Sequence, residues 1–594
     1  MIQSLDLKYL KHFYRFALTY KKSAFIGIAM LPISIACNLL FPWLIIKVVD
    51  SHLTQGQFDG LPKTIAFMLL VLFVNYFSDA IYSYYLRKTS QYALFDMRKE
   101  MFQRILHLPR TYFDRTPTGV TLSRLTSDLE SIGESFVLGV LGLVKDSLNT
   151  IAILIMMFFI NWQMSLVILA VFPPVLYLTH YIRNKLRDMY VITRTALAKG
   201  TGYLQECLLG VKTVQLYGAE QEVEEKYLGY TTEFMRAQLK TNKYDAALFS
   251  IITGVTSVTI GLMIWYGSGL VLASTVTLGV LIAFINTLEK IFVPLRDFTS
   301  QIASIQRSFA AFEHIEELFV EPLEEAGRQQ LSDADLGTQL DDFETLVFTD
   351  VKFRYNENTP YVLNGLSFSL NKGQQLALVG TTGSGKSTII RLINKVYMDY
   401  EGSIKLNGIE LSDIPKARVL PLFSLMQQDV YLFEESVAFN IALGNDNITS
   451  DDIQTAAQYV YAHEFIEQLP EQYDFKLRTS GSNLSAGQTQ LISFARAVAQ
   501  GGQVMMLDEA TSSVDSITED LIQKAINRLF QSKTVIAIAH RLSTIRHSDQ
   551  ILVMDAGKIV ERGNHSDLLS QNGVYAGLLK EGSEIAVNEA TGTV

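Results

Sequence analysis

The sequence predicts a two-part chain: a membrane all-α domain of six transmembrane helices with long cytoplasmic extensions, followed by an α/β P-loop domain. Three observations predict it. Long apolar runs occur up to about Phe298 and then stop. Lys and Arg gather in alternate connections between those runs. Further on, the strand pattern Leu376–Val379 runs straight into a Gly-rich loop and a helix pattern.

A chain of 594 residues is too long for one compact domain, so at least two are expected. Its 48% hydrophobic content is shared by soluble domains, so the distribution decides and not the total. The net charge of −10 argues against a general nucleic-acid binder. Cys37 lies in an apolar run and Cys207 in a polar, basic stretch, so neither a disulfide framework nor a thiolate metal site is expected. The N-terminus lacks a short apolar core before a small-residue cleavage site, so it reads as retained.

A helix needs roughly 20 mostly apolar residues to cross the hydrocarbon core. The candidates are Ala24–Ile46, Ile65–Leu86, Phe136–Ile160, Met164–Tyr181, Ala246–Leu272 and Leu278–Phe298. Six such runs are hard to bury without lipid. The stretch 87–134 carries eight basic residues and 183–245 carries ten, whereas Asn161–Gln163 and Ala273–Thr277 carry none. Positive residues stay inside, so both termini are expected in the cytoplasm, and the membrane to be the plasma (inner) membrane. The two basic connections have helical patterns, such as Met97–Leu108 and Ala196–Leu209, and are long enough to reach a cytoplasmic domain.

Residues 1–23 read as an amphipathic helix, with Leu5, Tyr9, Phe13, Phe16 and Tyr20 on one face. It would lie on the inner membrane surface or pack on protein. A few charges fall inside the apolar runs. Lys145 and Asp146 are expected in water or in structural pairs. For Glu289 and Lys290 that reading and a polar transport path are both open. Asp79 belongs to the same group.

The loop Gly380-Thr381-Thr382-Gly383-Ser384-Gly385-Lys386-Ser387-Thr388 has the G-x-x-x-x-G-K-S spacing. Its glycines let backbone N–H groups turn toward the β- and γ-phosphates at a helix N-terminus. Lys386 neutralises phosphate charge and the Ser387 hydroxyl can ligate Mg²⁺. A second strand, Val504–Leu507, ends in Asp508-Glu509. One carboxylate there can hold the Mg²⁺ shell, and the next can orient or deprotonate a water. A third strand, Thr534–Ala539, ends in His540. Between the first two, Leu484-Ser485-Ala486-Gly487-Gln488 opens a helix pattern, Leu491–Ala499. A small-residue loop at a helix start is a second anion site, and its useful geometry is across a dimer.

Taken in order, Gly380–Thr388, Gln428, Leu484–Gln488, Met505–Glu509, Ser512–Asp515 and His540 resemble the motif set of the ABC exporter family, of the type IV fold. The resemblance covers nearly the whole chain. Phe113-Asp114, Thr118-Gly119, Arg124 and Asp128 look like that family's first cytoplasmic connection. Glu206, Gly210 and Tyr217–Glu220 look like the second.

The resemblance implies roles. Tyr355 would stack on adenine. Gln428, of the pair Gln427-Gln428, would sense the γ-phosphate and Mg²⁺, with Ser387 and Asp508 as the other metal ligands. Glu509 would be the general base and His540 the γ-phosphate sensor. Ser485, Gly487 and Gln488 would contact ATP bound to a second subunit, and Asp515 would lie across that interface. Two residues depart from the pattern. Ala486 replaces the first Gly of Leu-Ser-Gly-Gly-Gln, and Thr479 stands where a Glu is usual. Both lie on the surface offered to the partner. The chain therefore resembles the catalytically intact subunit of heterodimeric bacterial multidrug exporters.

The implied function is ATP-driven outward transport of amphiphilic cargo, drug or lipid, by alternating access. ATP and Mg²⁺ are the implied cofactors. A second half-transporter, membrane lipid and a small amphiphile are the implied partners, with no nucleic acid. Expected bounds are 1–23 for the N-terminal helix, 24–310 for the membrane domain, 311–345 for a linker and 346–594 for the ATPase domain. An ATP-gated channel or regulator, and a peptide exporter, are the alternatives. Intact Glu509 and His540 weigh against the first. No protease-like domain precedes Ala24, which weighs against the second.

Overall fold

The computed structural model describes residues 15–324, 330–508, 516–531, 533–538, 546 and 548–580. The chain forms two compact units. One comprises residues up to Leu106 together with Pro117–Glu321. The other comprises His107–Thr116 and the residues from Pro322 on.

The first unit is helical. Its long helices are Lys21–Lys47, Leu61–Leu106, Gly142–Ile160, Trp162–Leu209, Glu220–Leu272 and Leu278–Val320. Five helical stretches among the described residues are long and apolar enough to cross a membrane: Lys21–Thr54, Phe58–Leu106, Thr118–Ile160, Trp162–Leu209 and Glu220–Leu272. The sixth expected span, Leu278–Phe298, is the first half of the helix Leu278–Val320 and carries Glu289 and Lys290 within its apolar run. Helices of 46 to 53 residues are roughly 70–80 Å long, more than twice the hydrocarbon thickness, so long polar extensions continue beyond the apolar stretch. Large apolar side chains such as Phe159 (85% exposed) and Tyr76 (78%) point outward, as a lipid-facing surface requires.

Local chemistry sets the turns. Asn161 Oδ1 accepts from the Met164 N–H at 2.9 Å and starts the Trp162–Leu209 helix. The Thr277 side chain caps the last long helix. That helix continues past the expected end of the membrane domain into the stretch expected as linker, because Ala311, Phe312, Ile315 and Leu318 keep helical spacing and are buried. It stops where the Arg104 guanidinium takes the carbonyls of Leu318, Phe319 and Glu321, at 3.0, 2.6 and 2.7 Å. Most of the expected N-terminal helix lies outside the described residues. Its described end packs on protein: Phe16 and Ala17 are buried with Ala93, Met97, Leu129 and Phe312.

The second unit holds two sheets. Strands β1 (Thr345–Phe353), β2 (Leu363–Asn371), β4 (Glu401–Leu406) and β5 (Ile409–Glu410) form an antiparallel sheet in the order β2-β1-β4-β5. The other sheet contains β3 (Gln375–Gly380), β6 (Phe423–Met426), β7 (Val504–Asp508), β8 (Thr534–Ile538), β9 (Gln550–Asp555) and β10 (Lys558–Gly563), in the order β10-β9-β3-β8-β7-β6. All its pairings are parallel except that of the edge strand β10. β3, β7 and β8 are continuous apolar runs buried on both faces, as a covered parallel sheet demands. Between β6 and β7 the chain builds a helical layer with its own core, including Val437, Ile441, Leu491 and Phe494.

Candidate ATP site

The parallel registers bring the expected site residues to one sheet edge. Met426 of β6 pairs with Leu507 of β7, and Asp508 of β7 with Ile538 of β8. Leu378 of β3 also pairs with Ile538. Asp508, the Gln427-Gln428 loop and Gly380 therefore leave the sheet on the same side, where α/β folds place ligands.

Gly380 closes β3 with φ +153°, and a Cβ there would sit 2.1 Å from the Met554 carbonyl oxygen. Gly385, at φ +100°, ends the loop where a Cβ would meet the Val362 carbonyl at 2.8 Å. Both positions need glycine. The helix Lys386–Ile393 follows directly. The Lys386 ammonium is buried and folded back on the loop. It donates to the carbonyls of Gly380 and Thr381, each at 2.8 Å, and to Ser384 Oγ at 3.4 Å. Burial pushes it below the usual lysine range, and the Asp508 carboxylate pulls it part of the way back.

The Ser387 hydroxyl donates to Asp508 Oδ1 at 3.2 Å. This juxtaposition of a hydroxyl and a carboxylate is a hard-oxygen donor set that suits Mg²⁺. Thr381, Thr382 and Gly383 are exposed at the loop surface, whereas Ser384 and Thr388 are buried. Gln428 is exposed in the loop after β6, with Gln427 turned instead to a groove beside Arg496. Glu509, Ser512–Asp515 and His540 lie outside the described residues.

Tyr355 is half-buried. Its hydroxyl meets Thr388 Oγ1 at 2.9 Å and accepts from Arg391 Nη1 at 3.0 Å. Its ring stands edge-on to Phe353 and Tyr397. Tyr397 in turn donates to Asp114 Oδ2 at 2.5 Å, on the short helix Arg110–Arg115. Burial, with that bond, pushes the Tyr397 phenol up to about 12. Phe353, Tyr355 and Asp114 line one open cleft of about 600 Å³. Arg391 and Tyr397 were missed by sequence reasoning. Arg391 carries a signal, three residues beyond Thr388 on the same helix. Tyr397 carries none, since its partner lies 283 residues away.

The Leu484–Gln488 loop is separate in character. Ser485 caps the helix Ala486–Ala499, its Oγ accepting from the Gln488 N–H at 3.2 Å, while Gln488 Oε1 accepts from the Ser485 N–H at 2.9 Å. Ser485 and Ala486 are exposed and Gly487 is buried. The Thr479 hydroxyl donates to the Glu434 carboxylate.

Residues 24–295 match the family described as ABC transporter transmembrane region, and residues 363–512 match the family described as ABC transporter. The chain is 32% identical over 551 residues to the ABC transporter ATP-binding protein YknV of Bacillus subtilis (strain 168), covering 92% of this chain and 90% of the relative. The chain belongs to the ABC transporter family. This ABC half-transporter is also 32% identical over 572 residues to the ATP-dependent lipid A-core flippase of Vibrio cholerae serotype O1, covering 96% of this chain and 97% of the flippase. Its fold matches a bacterial Atm1-family ABC exporter with ATP bound, at TM-score 0.78 and 23% identity, over 95% of this chain and 99% of that one. It is a membrane-spanning ABC exporter half, with an ATPase domain whose hydrolysis is coupled to transport.

Proposed function

We propose that this half-transporter exports amphiphilic small molecules, drug-like or lipid, by alternating access, and that its second half is a different chain. Its termini lie in the cytoplasm. The observation that carries the transport reading is the buried Lys386 and the adjoining Ser387–Asp508 pair, set at a sheet edge in a chain whose other unit is built of membrane-length helices. The flippase relative supports lipid as one cargo class.

The site residues take these roles. Lys386 exchanges its two loop carbonyls for phosphate oxygens, which meet its charge better than neutral carbonyls do. Ser387 and Asp508, with Gln428, would hold Mg²⁺, which would supply charge neutralisation at the β- and γ-phosphate oxygens. Tyr355 offers a ring to adenine. Glu509 takes the proton of the attacking water and His540 contacts the γ-phosphate. Ser485, Gly487 and Gln488 meet ATP on the other subunit. ATP shifts the exporter toward the closed state only by binding that state better.

Ala486 supports a different partner, because the change falls on the face offered to the other chain's ATP while the Gly380–Thr388 loop keeps its motif. That partner should carry an unmodified Leu-Ser-Gly-Gly-Gln and a replaced catalytic Glu. One observation favours a homodimer as the second reading. Glu434 brings a carboxylate to the Thr479 hydroxyl, returning a charge to the loop that lost one.

Reconstitution in sealed vesicles tests both parts. Cargo-stimulated ATPase with uphill flux is expected, and ATP-gated downhill flux without turnover would overturn export in favour of a channel. Expressed alone, the chain is expected to be monomeric or to turn over poorly. A stable homodimer with full, cargo-stimulated turnover would establish the second reading.

A further inference from the structure

Four helices of the membrane unit bring polar side chains together, all but Gln301 within their apolar stretches. Ser34 and Asn38 come from Lys21–Lys47, Asn75 and Asp79 from Leu61–Leu106, Lys145, Asp146 and Asn149 from Gly142–Ile160, and Lys290 and Gln301 from Leu278–Val320. Polar groups at such depth are costly unless they are paired or serve a ligand.

Most of them are paired. Lys145 forms an ion pair with Asp79 and lies over the Tyr82 ring at 5.1 Å. Asp146 accepts from the Gln301 amide at 2.7 Å. Lys290 differs. Among the described residues no carboxylate pairs with it. Its ammonium reaches Asn38 Oδ1 at 3.5 Å and the face of Phe41 at 5.2 Å. An amide oxygen and a ring are poor exchange for a counter-ion.

Asn38 is the hub of the neighbourhood. Its amide donates to Asn149 Oδ1 at 3.4 Å, and its oxygen accepts from Asn75 at 3.4 Å. Asn75 accepts from Ser34 at 3.0 Å. The hub bonds are long, hence weak. Half a rotation of the Asn38 amide presents its N–H₂ beside the cation in place of its oxygen, and matching turns of Asn75 and Asn149 keep both of their bonds to Asn38.

We infer that the cluster around Lys290 and Asn38 is a seat for the acidic headgroup of an amphiphilic cargo, a carboxylate or a phosphate, with the acyl chain left to the surrounding apolar helices. The inference rests on the transport reading. The headgroup supplies the counter-charge that Lys290 lacks and accepts charge-assisted bonds from Lys290 and the turned Asn38 amide.

The test uses the full-length exporter, in the assembly in which it purifies, in phosphatidylcholine nanodiscs. Native mass spectrometry measures half-saturation by four probes sharing one oleoyl or oleyl chain: oleate, lysophosphatidate, lysophosphatidylcholine and oleylamine. The acidic probes are expected to bind about tenfold more tightly than oleylamine, the value of one charge-assisted bond. The stronger of oleate and lysophosphatidate identifies the source. Lys290→Gln removes that preference, Lys290→Arg keeps it, and Asn149→Ala weakens the acidic probes while sparing oleylamine. Equal binding of acidic and cationic probes by the parent would overturn the inference. So would a Lys290→Gln or Asn149→Ala protein that binds the acidic probes as the parent does. Failure of uphill flux with every cargo sinks the transport reading, whereas flux of some other cargo without acid preference sinks this inference alone.

Discussion

The Gly380–Thr388 loop and the Leu484–Gln488 loop both place a helix N-terminus at the surface where phosphate is expected, yet they are built differently. The first is locked: two glycines with no room for a Cβ, a buried lysine bound to two carbonyls, and a serine against a carboxylate. The second is open. Its Ser485 and Gln488 satisfy each other, and Ala486 is exposed at a position where a glycine is usual. A surface that serves its own chain's ligand is fixed by internal contacts. The second loop is fixed by a cap within its own first turn, with no buried charge behind it among the contacts of Ser485 and Gln488.

Glu509→Gln gives the largest expected break in this comparison. Loss of a general base lowers single-turnover hydrolysis about 10²–10⁴-fold while ATP stays bound. A near-parental rate with the site occupied would remove Glu509 from that role. Next is Lys386→Ala, which weakens equilibrium ATP binding about 10- to 100-fold, through one ionic hydrogen-bonding group. An unchanged dissociation constant would mean that the locked loop does not hold phosphate.

Tyr355→Ala is expected to cost roughly 1–3 kcal/mol of binding for ATP and GTP alike, because stacking needs only a flat face. Loss of ATP binding with GTP retained would point to base-specific contact instead. On the open side, Ser485→Ala removes the cap of the Ala486–Ala499 helix, worth about 1 kcal/mol of stability by denaturant titration, and leaves nucleotide affinity at the chain's own P-loop unchanged. A fall in that affinity would join the two loops into one site. Ala486→Gly is the smallest change, expected to stay within about fivefold in the chain's own single-turnover rate, since glycine and alanine at this cap-adjacent position differ by under about 1 kcal/mol. A larger rise in a preparation of this chain alone would show that both sites of a homodimer had faced the methyl group.

The sequence reading was strongest where a local pattern carries its own explanation. Leu376–Val379 followed by the Gly-rich loop became β3, the loop and a helix. Val504–Leu507 became β7, with Asp508 at its end. Lys145 took a structural partner, as expected. Weaker were features set by distant packing. The last long helix runs to Val320 because its apolar positions find a buried surface, which its polar composition concealed. Asn38, Asn75 and Asn149 were overlooked because single amides within apolar runs stand out less than charges, and only the convergence of helices makes them a cluster. Tyr397 looked like any core aromatic until Asp114 was placed against it.

The Tyr397–Asp114 bond has a consequence in time. Asp114 leaves the ribosome well before Tyr397, and the 283 residues between them take roughly 15–60 s to synthesise at usual elongation rates. During that interval the segment His107–Thr116, which belongs with the nucleotide unit, has only its local Arg110–Asp114 pair while the later apolar helices are still being made. The nucleotide unit thus gains this contact only after the later apolar helices have been made. A fragment beginning after Glu321 would emerge without its earliest-made piece, and supplying a peptide of residues 107–116 should measurably raise its melting temperature.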